Sequence, residues 1–294
     1  MKKLNHRFPL ALLIGLLIGF SSCSNNEELD NDIKRILKRI ERFNPGETSC
    51  ISYGDFREDG KMTKFGLCPN PPEVYVGYHY DETGRYIGAD SRGNLYYDGD
   101  LLVSLITSDD TGTGSVSFTY NGNTIEGVSA YNGVPFDSKG IYEFSDNNYS
   151  KLISITGYSD ISTTPYVSSI TTFEYENDLL VRSEQRVYNE NTEELEQWFV
   201  YEYAYDNKKN PYKLGLSQNA FVTSFISLFH QNDISRNLAE QMDHNIVMQK
   251  QINYIQDYIS ILEREYTYDD FGFPISYSEN RNGEPNKNVT FEYY

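Results

Sequence analysis

From about Tyr75 onward the chain alternates aromatic or β-branched residues with polar ones at a period of two, and this pattern constrains the fold most. Phe199, Tyr201, Tyr203 and Tyr205 fall on one face of their stretch, and Trp198, Val200, Glu202 and Ala204 on the other. Val116, Phe118 and Tyr120 repeat the alternation, as do Phe173 and Tyr175, Tyr142 and Phe144, Tyr266 and Tyr268, and Val289, Phe291 and Tyr293. Strict alternation of this kind reads as half-buried antiparallel strands. Turn chemistry follows most of the aromatic ends, as in Tyr80-Asp81-Glu82-Thr83-Gly84-Arg85, Tyr97-Asp98-Gly99-Asp100, Tyr120-Asn121-Gly122-Asn123, Tyr175-Glu176-Asn177-Asp178 and Tyr268-Asp269-Asp270-Phe271-Gly272. Gly and Asn supply the positive φ of tight hairpins, and Asp closes a turn with its side chain. A second apolar strand follows each turn, so the expected fold is all-β: a curved antiparallel hairpin meander whose closure into a barrel the pattern leaves open. With 26 tyrosines and 16 phenylalanines the chain is far from the aromatic-poor composition of disorder.

Two regions break the period. Leu29, Ile33, Ile36, Leu37, Ile40 and Phe43 recur at helical spacing ahead of Asn44-Pro45-Gly46, which predicts a short amphipathic N-terminal helix. Such a helix packs on its own domain, lies on a membrane, or pairs with a partner. Phe221, Phe225, Leu228 and Phe229 are also helically spaced, inside a helical or irregular insertion over about 215–245 that either carries function or plugs an open end of the sheet. Residues 245–262 mix both periods and read as strand. The expected organisation is a signal peptide over 1–22, an acidic tether and helix over 23–46, and one β-repeat domain over 47–294.

The N-terminus carries an address. Lys2, Lys3 and Arg7 precede an apolar stretch from Pro9 to Phe20, too short to span a bilayer but suited to a signal peptide. Ser21-Ser22-Cys23 then resembles the lipobox of bacterial lipoproteins, with Phe20 in place of the usual Leu. That resemblance implies acylation of Cys23, palmitate included, and cleavage just before it. Ser24-Asn25-Asn26-Glu27-Glu28-Leu29-Asp30 is similar to the acidic surface-export signals of some Gram-negative lipoproteins, or is a plain solvated tether. The expected location is the outer membrane, facing outward or, alternatively, the periplasm. Cleavage removes three bases and no acid, taking the formal charge from −18 to −21. A surface this negative repels phosphate backbones, so nucleic acid is not an expected partner. Cys50 and Cys68 are candidates for a structural disulfide in an oxidising compartment.

The aromatic-turn units resemble the YD repeat, whose core reads Tyr-Asp-x-x-Gly-Arg-Leu. Tyr80 to Arg85 match that core, with Tyr86 in the leucine position, and Tyr268 to Gly272 match its first half. With the lipobox, the resemblance is to YD-repeat-like (Rhs-like) bacterial lipoproteins over residues 74–294. It implies an architecture and brings no catalytic residue.

The sequence offers no phosphate loop, nucleophile elbow or zinc spacing, so no catalytic residue, metal ligand or cofactor is expected. His79 reads as a surface strand residue, and the acidic turns read as turns rather than calcium loops. Most tyrosines read as core; Tyr96, Tyr97, Trp198, Tyr293 and Tyr294 interrupt or oppose an inward face and are the candidates for stacking on a ligand. The expected function is a non-catalytic, lipid-anchored envelope protein that binds a glycan or protein partner through its sheet or loops. The alternative is a structural component of an outer-membrane complex, with a glycan hydrolase behind both.

Overall fold

The computed structural model describes residues 35–68, 75–90, 93–109, 111–211 and 234–294. Among these lie eighteen strands and one short helix. The first six strands are β1 (Leu37–Phe43), β2 (Cys50–Phe56), β3 (Met62–Leu67), β4 (Tyr75–Tyr80), β5 (Tyr86–Ala89) and β6 (Gly93–Asp98). The next six are β7 (Leu101–Asp109), β8 (Gly112–Asn121), β9 (Thr124–Tyr131), β10 (Val134–Phe144), β11 (Leu152–Ser159) and β12 (Tyr166–Glu176). The last are β13 (Leu179–Asn189), β14 (Glu194–Lys209), β15 (His244–Asn253), β16 (Tyr258–Tyr268), β17 (Pro274–Arg281) and β18 (Glu284–Tyr293), with helix α1 (Ile234–Glu240) between β14 and β15.

Every strand pairs antiparallel with its neighbours in the chain, and β18 returns to β1, with Phe291 opposite Ile40 and Val289 opposite Arg42. The meander is therefore a closed up-and-down barrel, which removes both sheet edges. Closure overturns the YD-repeat resemblance, because an open run of hairpin repeats does not join its last strand to its first. The motif misled because it is local turn chemistry that any hairpin can use. The Asp81 carboxylate accepts from the backbone N–H of Thr83 and Arg85, and Asp269 from those of Phe271 and Phe273. The β12–β13 turn instead places Asn177 and Asp178 at positive φ, 49° and 67°, as a two-residue hairpin needs.

The expected N-terminal helix is a second correction. Leu37 to Phe43 form β1, a wall strand paired on both sides, so the barrel begins before position 47. A register shift between Leu37 and Arg39 explains the misreading. It moves the buried positions to Leu37 and Ile40, a spacing of three that imitates one helical face. The signal stretch, Cys23, the acidic tether and the Phe221–Phe229 stripe lie outside the described residues. Residues 245–262 are strand, divided between β15 and β16.

Odd-to-even turns, such as that from β1 to β2, gather at one end, here called the far end. Even-to-odd turns gather at the near end, where the chain enters β1 and leaves β18. Inward positions carry the core. One cluster joins Tyr86, Leu102, Phe118, Ile125, Tyr142, Phe144, Leu152, Phe173, Leu180, Tyr203 and Ile246 with Leu238 and Ala239 of α1. A smaller one joins Leu37, Ile40, Phe56, Tyr277, Val289 and Phe291. Eighteen strands enclose more space than one layer of side chains fills, and α1, carried by the near-end β14–β15 connection, takes up part of it.

Candidate functional site

Outward positions carry many paired charges. Arg182 bonds Glu174 (2.6 Å) and Glu184 (2.5 Å), Arg186 bonds Glu184 (2.7 Å), and Lys250 bonds Glu202 (2.8 Å) across β12 to β15. Across β1 to β3, Arg39 joins Glu41 and Asp55, both at 2.8 Å, and its guanidinium lies 4.5 Å from the centre of the Tyr53 ring. A lipid-facing barrel shows an apolar band about 25 Å tall, and a charge at its midplane costs about 2–4 kcal/mol. This wall carries charged pairs outside and an aromatic cluster inside.

At the near end the tyrosines before the turns form a ladder. Each hydroxyl donates to the carbonyl that opens the preceding strand: Tyr80 to Met62 (2.7 Å), Tyr97 to Tyr86 (2.8 Å), Tyr120 to Leu102 (2.8 Å), Tyr175 to Leu152 (3.0 Å), Tyr205 to Leu180 (2.8 Å) and Tyr293 to Pro274 (2.7 Å). Burial pushes the Tyr97 hydroxyl up to about 12, so it stays a neutral donor. The turns beyond carry their own ion pairs, Arg57 with Asp59 (2.5 Å), Arg85 with Asp81 (2.9 Å) and Arg35 with Asp269 (3.2 Å).

Exposed apolar residues occur at both ends, with Leu101, Phe271 and Tyr294 at the near one. At the far end the β9–β10 tip exposes Tyr131, Val134 (69%) and Phe136, and the β15–β16 tip exposes Tyr254, Ile255 (68%), Tyr258 and Ile259. Ile51, Leu67 and Tyr75 are exposed beside the bonded pair Cys50–Cys68, whose Cα atoms are 5.4 Å apart. Asp137, Asp160, Glu190, Glu193, Asp257 and Glu284 lie among the turns of this end, and none has an ion-pair partner among the described residues. The far rim is thus apolar and acidic at once.

A third feature is inside. Arg264 of β16 lies opposite Glu279 of β17, and its Nε donates to Glu279 Oε2 at 2.8 Å. Lys287 of β18 reaches Glu279 Oε1 at 3.3 Å, and Asn286 Nδ2 donates to the same oxygen at 2.6 Å. From α1, Glu240 Oε1 meets Arg236 (3.1 Å) and Arg264 (3.5 Å). Arg42 of β1 faces the same space, its guanidinium 5.6 Å from the centre of the Phe65 ring. Burial works to raise the Glu240 carboxyl, but Arg236, Arg264, Lys287 and Arg42 outweigh it and hold the group down at about 2. Burial and the surrounding arginines press Lys287 down to about 8 against the pull of Glu279. Period-two reading missed this cluster because it expects an apolar inward face, and here the inward sequence runs Tyr277, Glu279 and Lys287.

The stacking candidates are scattered. Tyr96 projects from the outer face of β6, Tyr97 and Tyr293 belong to the ladder, and Tyr294 donates its hydroxyl to the Phe56 carbonyl at the near end. Trp198 occupies a register shift in β14 and stacks on Phe199 at 5.1 Å between centroids. No patch brings the five together. His79 is on the surface, 2.7 Å from Asp90. On the outer wall Glu265, Thr267, Ser276, Ser278, Asn288 and Thr290 line a shallow depression of about 340 Å³.

No protein-family model matches the chain, and no curated protein matches it. Among solved structures it is similar to a porin-like protein from Bacteroides uniformis, at 15% identity and a TM-score of 0.42 over 88% of this chain and 98% of that one. It is also similar to a porin-like protein from Bacteroides vulgatus, at 10% identity and a TM-score of 0.37 over 89% and 99%. Both are described as porin-like, neither as a YD-repeat protein.

Proposed function

We propose that this chain is a non-catalytic envelope protein, tethered to the outer membrane through acylated Cys23, that stands in water as a filled barrel and captures a protein partner on its far rim. The observation that carries the reading is the exposure of two far-end tips: Val134 and Ile255 are the most exposed large hydrophobics among the described residues. Eleven residues separate Cys23 from Arg35 and span at most about 40 Å. The rim is acidic as well as apolar, so its partner presents a basic surface with apolar contacts, and an anionic membrane is repelled. Aliphatic Val134, Ile255 and Ile259 favour protein over glycan. A hydrolase gains no support from the inner carboxylates, because a general acid needs a raised pKa and theirs are lowered.

Two measurements test this reading in cells. Metabolic labelling with an alkyne fatty acid should mark the protein, and Cys23→Ser should abolish the label and free the protein from the membrane. A photo-crosslinking residue at position 134 or 255 should give discrete protein adducts that one at position 263, on the outer wall, does not. A Val134→Asp, Ile255→Asp double variant should lose the partner captured by a crosslinker at position 136, with its Tm within 2 °C of the parent. Equal adducts from wall and rim would sink the proposal.

A further inference from the structure

Among the described residues the charges of the inner cluster do not cancel. Four cations, Arg42, Arg236, Arg264 and Lys287, face one another across β1, β16, β18 and α1 with two carboxylates, Glu240 and Glu279, between them. Arg42 has no ion-pair partner among the described residues, yet it is close enough to act on the charges of both Glu240 and Lys287. Uncompensated buried charge is costly and is ordinarily met by a counter-ion or a ligand. In a protein of net charge −18 this cluster thus carries a surplus of positive charge among the described residues.

There is also room. Arg236 and Glu240 sit within the wall, bonded towards buried Arg264, yet 32% and 28% of their side-chain surface remains open to water. Lys287 keeps 17%. Further along the inner face, Gln249 lies opposite Leu262, two residues from Arg264. Its side chain is more than nine-tenths buried, and its Oε1 has no hydrogen-bond partner. An acceptor left open beside a cationic cluster suits a ligand that brings hydroxyl donors along with its negative charge.

We propose that the barrel interior is a binding site for a small oxyanion, whose carboxylate, sulfate or phosphate group is received by Arg42, Arg264 and Lys287 and whose hydroxyls meet Gln249. Arg264 is fixed by Glu279 and presents a preset fork. Arg42 carries the unspent charge and is the principal anchor. The site is separate from the far rim, so failure of either proposal leaves the other standing.

The test is thermal unfolding of the full mature protein, titrated with sulfate, phosphate, acetate or glucuronate at constant ionic strength set by chloride. The expected result is a rise in Tm of about 4 °C or more that saturates in the millimolar range. Glucuronate should act at lower concentration than acetate if the hydroxyls engage. Sulfate and phosphate also stabilise proteins by exclusion from their surfaces, but that effect does not saturate. Arg42→Gln should abolish the saturable part and raise the ligand-free Tm, because it removes a repelled charge. Lys287→Gln should weaken the response in the same way and serves if Arg42→Gln does not fold. An anion response no larger than that of chloride would overturn the proposal. So would a saturable response unchanged in both variants, which would place the anion elsewhere.

Discussion

At the scale of single residues, the inner charges set the response to pH. The Glu240 carboxylate is held at about 2 in the folded chain against an ordinary value near 4.5. A depressed acid contributes stability that is complete above the unfolded value and is lost as pH falls towards the folded one. Urea unfolding should therefore show a midpoint that falls between pH 4.5 and 2, and Glu240→Gln should flatten that fall. Lys287 runs the other way. Its folded value of about 8 lies below 10.5, so the folded state resists its protonation and recovers that cost as pH rises from 8 to 10.5. The buried tyrosines oppose the gain above pH 10, so the quantity to follow is parent minus Lys287→Met, which should grow across that window. Glu279 is 1% exposed with three donors around it. Glu279→Gln leaves Arg264 and Lys287 without their shared counter-charge and should cost about 3 kcal/mol in urea denaturation.

At the scale of elements, the ladder is the device that repeats. Each tyrosine hydroxyl seals the start of the preceding strand at the near end, and the alternation that placed Tyr120, Tyr175 and Tyr205 on an inward face was legible from spacing, whereas Tyr97 was read as opposing that face. Tyr175→Phe should cost about 1 kcal/mol. In hydrogen exchange its loss should speed the amides around Leu152 and leave those of the far end unchanged. Element reading failed where the alternation was displaced or recoloured. In β1 a bulge shifted the phase and counterfeited a helix. In β15 the inward positions are Gln249, Gln251 and Asn253, so a polarity pattern sees no buried face although two of the three are buried. Polar interiors are invisible to a rule that equates inward with apolar. The turns were legible because their chemistry is local. The partner of each end strand was not, because the β1–β18 pairing joins residues more than two hundred positions apart.

At the scale of the whole molecule, an outer wall of ion pairs around an aromatic interior supports the proposed reading of a barrel that stands in water. The mature Cys23→Ser protein should remain dispersed in buffer without detergent and should give no single-channel conductance in planar bilayers. Steady conductance steps would show that the wall does meet lipid. Closure has a further consequence, for how the chain is made. The first strand emerges with one side unpaired and waits for the last, so the ring cannot shut until β18 has been delivered. Pairings of such long range form slowly, and an open strand edge invites association with other chains in the interval. A protein exported as an unfolded thread therefore completes itself only after its tail has crossed, and its most hazardous moment comes between arrival and closure. Truncation by one strand should be far more damaging than the length of that strand would suggest, because it turns a ring back into a sheet with two raw edges.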